Sequence, residues 1–186
     1  MASLVWDNGI SVDECELIIN TYKNLKFEQG AVDANAQDQR KSLVYWIREP
    51  NTLVRSLFQF LIEANDARFR YSVFNFSQSI SNDTVQFTVY NETDYYNWHQ
   101  DILTQEESAR KSMSNRKVSL TVNLSDPKSY EGGDLEFFAG EQSPISSNKK
   151  QGSVVCFDSY DWHRVTPVTK GTRYSLVLWI WGPDFI

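Results

Sequence analysis

The chain has two histidines, and each stands beside a tryptophan, in Asn97-Trp98-His99-Gln100-Asp101 and in Asp161-Trp162-His163-Arg164. In an extended strand residues i and i+2 share a face, so His99 and Asp101 can offer an imidazole nitrogen and a carboxylate oxygen to one point. A second imidazole from His163 would complete a set of two histidines and one carboxylate, which leaves three positions open on a ferrous ion. Zinc would instead favour a closed tetrahedral site, or three ligands plus water. A His-x-Asp triplet alone is a weak signal, because such pairs are common on surfaces. The second signal is Arg173, ten residues after His163, beyond the turn-like Val165-Thr-Pro-Val-Thr-Lys-Gly171 and at the head of an apolar run. A guanidinium entering a buried strand needs a carboxylate partner, and its planar fork matches one bidentately. A structural salt bridge to one of the chain's own acids is the alternative.

These residues need a scaffold. Ser11-Val-Asp-Glu14 is a capping box, with Leu17, Ile18, Tyr22 and Leu25 following at helical spacing. Glu28 to Lys41 is polar and reads as a surface loop, and Leu43 to Ile47 as a short strand. Asn51 caps a second helix whose Leu53, Leu57, Phe58, Phe60 and Leu61 form an apolar stripe. Beyond Arg70 the texture turns to short β-rich runs at Tyr71 to Phe76, Val85 to Tyr90, Val118 to Leu124, Leu135 to Phe138, Val154 to Phe157 and Arg173 to Trp181. The expected fold is α+β, a double-stranded β-helix (jelly roll, cupin-like) core with N-terminal helices packed on one sheet. One domain is expected over 1–186, with helical support over 1–69 and the core over about 80–184. Gly132 and Gly133 fit a turn with unusual backbone angles. The polar stretches Thr104 to Asn115 and Gly140 to Gly152 are candidate lids, the first favoured because it follows the histidine-aspartate motif.

Composition narrows the field. A net charge of −6 offers no basic face for phosphates, so no nucleic-acid partner is expected. Cys15 and Cys156 form no CxxC pair, and the start has neither a basic segment nor a long apolar one. A reducing cytoplasm is the expected compartment, a host's if the gene is a phage's. No run of about 18 apolar residues occurs, so no membrane partner is expected.

The stretch from about Val85 to Phe185 resembles the prolyl 4-hydroxylase-type and PKHD-type 2-oxoglutarate and Fe(II)-dependent dioxygenases. The resemblance is carried by Tyr95-Tyr-Asn-Trp-His99-Gln-Asp101, Lys117-Val-Ser-Leu-Thr-Val-Asn-Leu-Ser-Asp-Pro-Lys-Ser-Tyr-Glu-Gly-Gly-Asp-Leu135 and His163-Arg-Val-Thr-Pro-Val-Thr-Lys-Gly-Thr-Arg173. It implies Fe(II) held by His99, Asp101 and His163, and 2-oxoglutarate as co-substrate with its far carboxylate on Arg173. Tyr90 matches a residue that helps hold the co-substrate, and Trp179 and Leu135 would line the substrate pocket; a core role is the alternative for all three. The implied reaction hydroxylates a C–H bond with release of succinate and CO2, with ascorbate a candidate reductant. Asp101 leaves no ligand position for a halide, so halogenation is not expected. The implied substrate is a prolyl residue in a peptide or protein, with a free amino acid or small metabolite as the alternative. From other classes, a non-catalytic cupin-like module binding metal or 2-oxoglutarate would bind without turnover, and a structural or sugar-binding β-sandwich would bind no iron.

Overall fold

Capping chemistry starts the helices where the sequence marks them. The computed structural model describes residues 3–30, 39–48, 51–82, 85–110, 114–140 and 144–184. Ser11 Oγ accepts from the Glu14 amide (3.3 Å) and Glu14 Oε2 accepts from the Ser11 amide (2.9 Å), opening α1 (Val12–Tyr22). Asn51 Oδ1 accepts from the Val54 amide (3.0 Å), opening α2 (Thr52–Ala64). A π-helical turn, Asn65–Phe69, continues α2 and ends at Arg70, whose φ of 55° is left-handed. Two short helices follow, α3 (Phe76–Asn82) and α4 (Gln105–Arg110).

The strands are β1 (Leu4–Trp6), β2 (Glu28–Gln29), β3 (Arg40–Lys41), β4 (Leu43–Ile47), β5 (Val85–Tyr90), β6 (Tyr95–His99), β7 (Ser114–Asn123), β8 (Tyr130–Gly132), β9 (Leu135–Phe137), β10 (Ile145–Ser146), β11 (Val154–Asp158), β12 (His163–Val165), β13 (Val168–Gly171) and β14 (Arg173–Pro183). Among the described residues they form a larger sheet, ordered β1-β11-β7-β14-β5-β4-β2, a smaller sheet, ordered β10-β9-β12-β6-β3, and a β13-β8 ribbon. This is the expected double-stranded β-helix.

Period-2 alternation in the larger sheet separates core from site. Phe87 and Val89 of β5, Leu120 and Val122 of β7, and Leu176 and Leu178 of β14 join the core that takes in Leu57 and Leu61 of α2. Each such side chain stabilises the fold by roughly 1.5–3 kcal/mol. The opposite face carries buried polar residues, Gln86 and Thr88, Ser119 and Thr121, Arg173 and Ser175, joined in β14 by Val177 and Trp179. A strand buried on both faces with one face polar marks a covered interior, here closed by the smaller sheet.

Several expectations need correction. Tyr71 to Phe76 is not a strand: the Asn65 side chain brackets Tyr71, accepting from its amide (3.0 Å) and donating to its carbonyl (3.1 Å), and Asn75 caps the start of α3 by accepting from the Gln78 amide (3.1 Å). Leu17 is 67% exposed and Leu25 is exposed, while Cys15, Ile18 and Ile19 supply the buried face of α1. The polar stretch 28–41 contributes β2 and β3, and its residues 31–38 lie outside the described ones. The candidate lid 104–115 contains α4 and the start of β7, with 111–113 outside the described residues, and Asn115 accepts from the Leu103 amide (2.8 Å) and donates to its carbonyl (3.1 Å). Within 140–152 it forms β10, with 141–143 outside the described residues. The first 69 residues are not only helical, since β1, β2 and β4 extend the larger sheet and β3 the smaller. Cys15 and Cys156 are free and buried. No helix among the described residues is long and apolar enough to cross a membrane.

Candidate metal centre and co-substrate pocket

β6 and β12 run side by side, with His163 opposite His99 and Val165 opposite Tyr96. The two β12 residues are two apart and their partners three apart, so β6 carries an extra residue. This bulge brings Tyr96 onto the face of His99, and the two rings stack at 3.5 Å and 10°. Asp101 lies just past the strand, its amide donating to Ser159 O (2.9 Å). His99 Nε2 is 3.7 Å from Asp101 Oδ1, and His163 Nε2 is 3.7 Å from Asp101 Oδ2. Ligand atoms of the three residues lie within 4.8 Å of one another.

Protonation suits a metal. Each Nδ1 sits by a carbonyl two residues earlier, Asn97 O at 2.7 Å for His99 and Asp161 O at 2.9 Å for His163. Donation there leaves each Nε2 lone pair facing Asp101. Burial, and then the neighbouring His163, hold His99 below its ordinary value of 6.5 against the opposing pull of Asp101, so His99 is neutral. Burial pushes the Asp101 carboxyl up, but His163, His99, Arg116 and the Ser119 hydrogen bond together outweigh it, and Asp101 is ionised. Neutral imidazole and ionised carboxylate are the ligand states that bind a divalent cation. Ser119 Oγ donates to Asp101 Oδ2 (2.6 Å) and lies 2.9 Å from Ser159 Oγ, which fixes the carboxylate from behind.

Arg173 opens β14 opposite Tyr90 of β5, its guanidinium carbon 5.5 Å from the Tyr90 ring centroid. It is 4% exposed, and Nη1 donates to Ser175 Oγ (3.3 Å). Among the described residues no acid pairs with it, so the alternative of a structural salt bridge is not what the fold builds. Gly133 has a φ of 61°, and a Cβ there would come within 2.9 Å of Arg173 Cδ, so the glycine both makes the expected turn and gives the arginine room.

His99, Asp101, His163, Arg173, Tyr90, Trp179 and Leu135 all line one cavity of about 160 Å³. Among its lining residues not singled out from sequence are Tyr96, Arg40 and Arg116. Arg116 lies 3.8 Å from the Trp179 ring centroid and donates from Nη1 to Asp101 O (3.4 Å). The carboxylate-fixing pair Ser119 and Ser159 was missed as well. The tryptophans beside the histidines do not enclose the site: Trp162 is 49% exposed, and Trp98 packs against Phe138 and under Arg164.

Fold and site together define a jelly-roll protein whose interior could hold a divalent metal on two imidazoles and a carboxylate, beside a buried arginine. The family model described as the 2OG-Fe(II) oxygenase superfamily matches residues 85–181, and the chain belongs to that superfamily. Its cofactors are accordingly Fe(II) and 2-oxoglutarate, and the donor set fits them. A PKHD-type hydroxylase of Shewanella frigidimarina is 34% identical over 94 residues, 50% of this chain and 41% of that protein. The chain thus spans under half the length of the curated relatives it matches. A Pseudomonas putida prolyl-4-hydroxylase superposes with a TM-score of 0.72 at 17% identity, over 99% of this chain and 93% of the other. A prolyl hydroxylase from Trichoplax adhaerens, in complex with a hypoxia inducible factor oxygen degradation domain peptide fragment, gives 0.71 at 16% identity, over 96% and 82%. At these identities the structural likeness is one of fold.

Proposed function

We propose that this protein is an Fe(II)- and 2-oxoglutarate-dependent dioxygenase that hydroxylates a C–H bond, with a prolyl residue of a peptide or protein as substrate. The observation that carries the reading is one buried pocket in which His99, Asp101 and His163 converge while Arg173 faces inward without an acid partner among the described residues. His99, Asp101 and His163 would hold the iron, and Arg173 the far carboxylate of 2-oxoglutarate. Bound iron with 2-oxoglutarate supplies the oxidising chemistry, converting the co-substrate and O2 to succinate and CO2 as the substrate gains a hydroxyl.

The chain's own task is to bind, orient and exclude water. Ser119 holds the Asp101 carboxylate, the Asn97 and Asp161 carbonyls hold the imidazole tautomers, and Ser175 holds Arg173. Leu135, Phe157 and Val165 supply apolar wall. Low polarity there strengthens the grip of Arg173 on a carboxylate. The prolyl substrate is supported by the names of the fold neighbours, and their peptide complex supports a peptide or protein as its carrier.

The test is succinate release by wild type and His99→Ala under air with Fe(II), ascorbate and 2-oxoglutarate, with and without prolyl peptides whose mass is followed. Iron-dependent succinate that disappears in the variant, with a one-oxygen gain on a prolyl peptide, is expected. Binding of 2-oxoglutarate with no turnover under any condition would overturn the enzyme reading, and turnover coupled only to a free metabolite would overturn the peptidyl one.

A further inference from the structure

Arg40 of β3 lines the same pocket from the smaller sheet, whereas Arg173 enters from the larger one. Its Nε donates to Ser42 Oγ (2.7 Å), and its guanidinium lies over the Tyr96 ring, 4.6 Å from the centroid. Tyr96 in turn stacks on His99, so Arg40 stands one aromatic ring away from the metal triad. Among the described residues its buried Nη2 has no hydrogen-bond partner and no acid pairs with it. Trp179, 4% exposed, lines the same pocket, and its indole N–H is likewise buried without an acceptor among the described residues.

Buried donors left without acceptors are rare in folded proteins and call for a reason. By charge count the cofactors leave room for a counter-charge: Asp101 and the two carboxylates of 2-oxoglutarate bring three negative charges against the two of Fe(II) and the three of Arg173, Arg116 and Arg40, so two positive charges are left over. Arg116, the other arginine of the pocket, is engaged by the Asp101 carbonyl and the faces of Trp179 and Trp181. Arg40 is half-buried with its Nη2 shut off from water, a position that favours a counter-charge, and a carboxylate matches its fork better than a neutral carbonyl does.

We propose that the primary substrate brings a carboxylate to Arg40, with the Trp179 indole N–H as a further donor to substrate oxygen. The carboxylate is either an acidic side chain close to the hydroxylated residue or a free α-carboxylate at a chain end or on a lone amino acid. The inference rests on the dioxygenase reading above, and it adds a specificity device on the sheet opposite Arg173.

The test uses the iron-loaded protein with 2-oxoglutarate and two sets of matched probes. One set holds prolyl peptides flanked by Asp or Glu, against the same peptides with Asn or Gln. The other holds proline and peptides ending in proline as acids, against their carboxamides. In one set the acid should stimulate succinate release at least about tenfold more than its amide, a factor equal to ~1.4 kcal/mol, and the responding set names the source. Arg40→Gln should shrink that preference to within about twofold, and Arg40→Lys, which keeps the charge and loses the fork, should retain part of it. Thermal melts of both variants check that they fold. Equal response to acids and amides, or no response to any acid, overturns the proposal. So does a tenfold rise in the KM for 2-oxoglutarate in Arg40→Gln, which would assign the arginine to the co-substrate. Loss of iron-dependent succinate release from the wild type itself would be a different failure, that of the dioxygenase reading, and would remove this inference with it.

Discussion

His163 stands directly opposite His99 in the pairing of β12 with β6, and the two imidazole centroids are 4.1 Å apart. The separation of the two candidate nitrogen ligands is therefore set by a backbone ladder between strands far apart in sequence, not by a flexible loop. Sites carried on strands hold their geometry better than sites carried on loops.

Removing one imidazole should therefore abolish metal binding while sparing the fold. His163→Ala is expected to weaken Fe(II) or Co(II) binding by more than about 100-fold, since loss of even an outer partner typically weakens affinity 10- to 100-fold. Isothermal titration of the metal-free protein measures this, and a melting temperature within a few degrees of wild type shows that the ladder survives. Undiminished metal affinity in His163→Ala would remove His163 from the ligand set.

Much of this site can be read from residue types, and the part that cannot has physical causes. Val85 to Tyr90 alternates apolar and polar residues and forms β5 over those residues, and Asn51 caps α2. His99, Asp101, His163 and Arg173 stand out because so few residue types can ligate a metal or grip a carboxylate. The bulge that brings Tyr96 to His99 leaves no local mark, because it is a property of the pairing with β12. Arg40 belongs to the site only because β3 pairs with β6, more than fifty residues further along the chain. Ser119 and Thr121 alternate with Val118 and Leu120 just as they would on a strand with one wet face, and only the covering sheet makes that face an interior. Tyr71 to Phe76 has β-type residues, but the side chain of Asn65 fixes its start in another conformation.

Ser119 offers a finer test of how the carboxylate is held. Its hydroxyl donates to Asp101 Oδ2 at 2.6 Å and lies 2.9 Å from Ser159 Oγ. Ser119→Ala removes the donor and leaves the ligand in place, so metal affinity should fall roughly 10-fold or more by the usual effect of outer partners. Ser119→Thr keeps the hydroxyl and should restore most of the loss. A structural role alone would lower the melting temperature in both variants and leave the metal isotherm unchanged.

Arg173 should show opposite effects on function and on the metal-free fold. A desolvated charge pair cut at one partner typically costs about 2–5 kcal/mol of binding, or roughly 30- to 1000-fold in affinity for 2-oxoglutarate. Arg173→Met is expected to raise the KM for 2-oxoglutarate on that scale and to abolish the thermal shift that 2-oxoglutarate induces in the Mn(II)-loaded protein. Without ligand the same variant should melt no lower than wild type, because it replaces a buried cation that has no acid partner among the described residues with an apolar side chain of similar length. A marked loss of stability with unchanged 2-oxoglutarate binding would reassign Arg173 to the scaffold.

Acid should destabilise the metal-free protein through His99. Burial, and secondarily His163, hold the folded imidazole well below 6.5, against the pull of Asp101. The unfolded chain therefore takes up a proton near pH 6.5 that the folded chain does not, and unfolding becomes more favourable as pH falls below that value. The stabilisation is fully present above about pH 6.5 and declines on acidification, with a slope that approaches ~1.4 kcal/mol per pH unit for one proton. Asp101 acts in the same direction at lower pH, since its folded carboxyl lies below its ordinary 3.8 and its contribution is lost as that group protonates. Thermal melts of the metal-free protein from pH 7.5 to 5 should show the decline, and His99→Gln, which has no proton to gain, should flatten it. Equal slopes in wild type and His99→Gln would place the acid-sensitive group elsewhere.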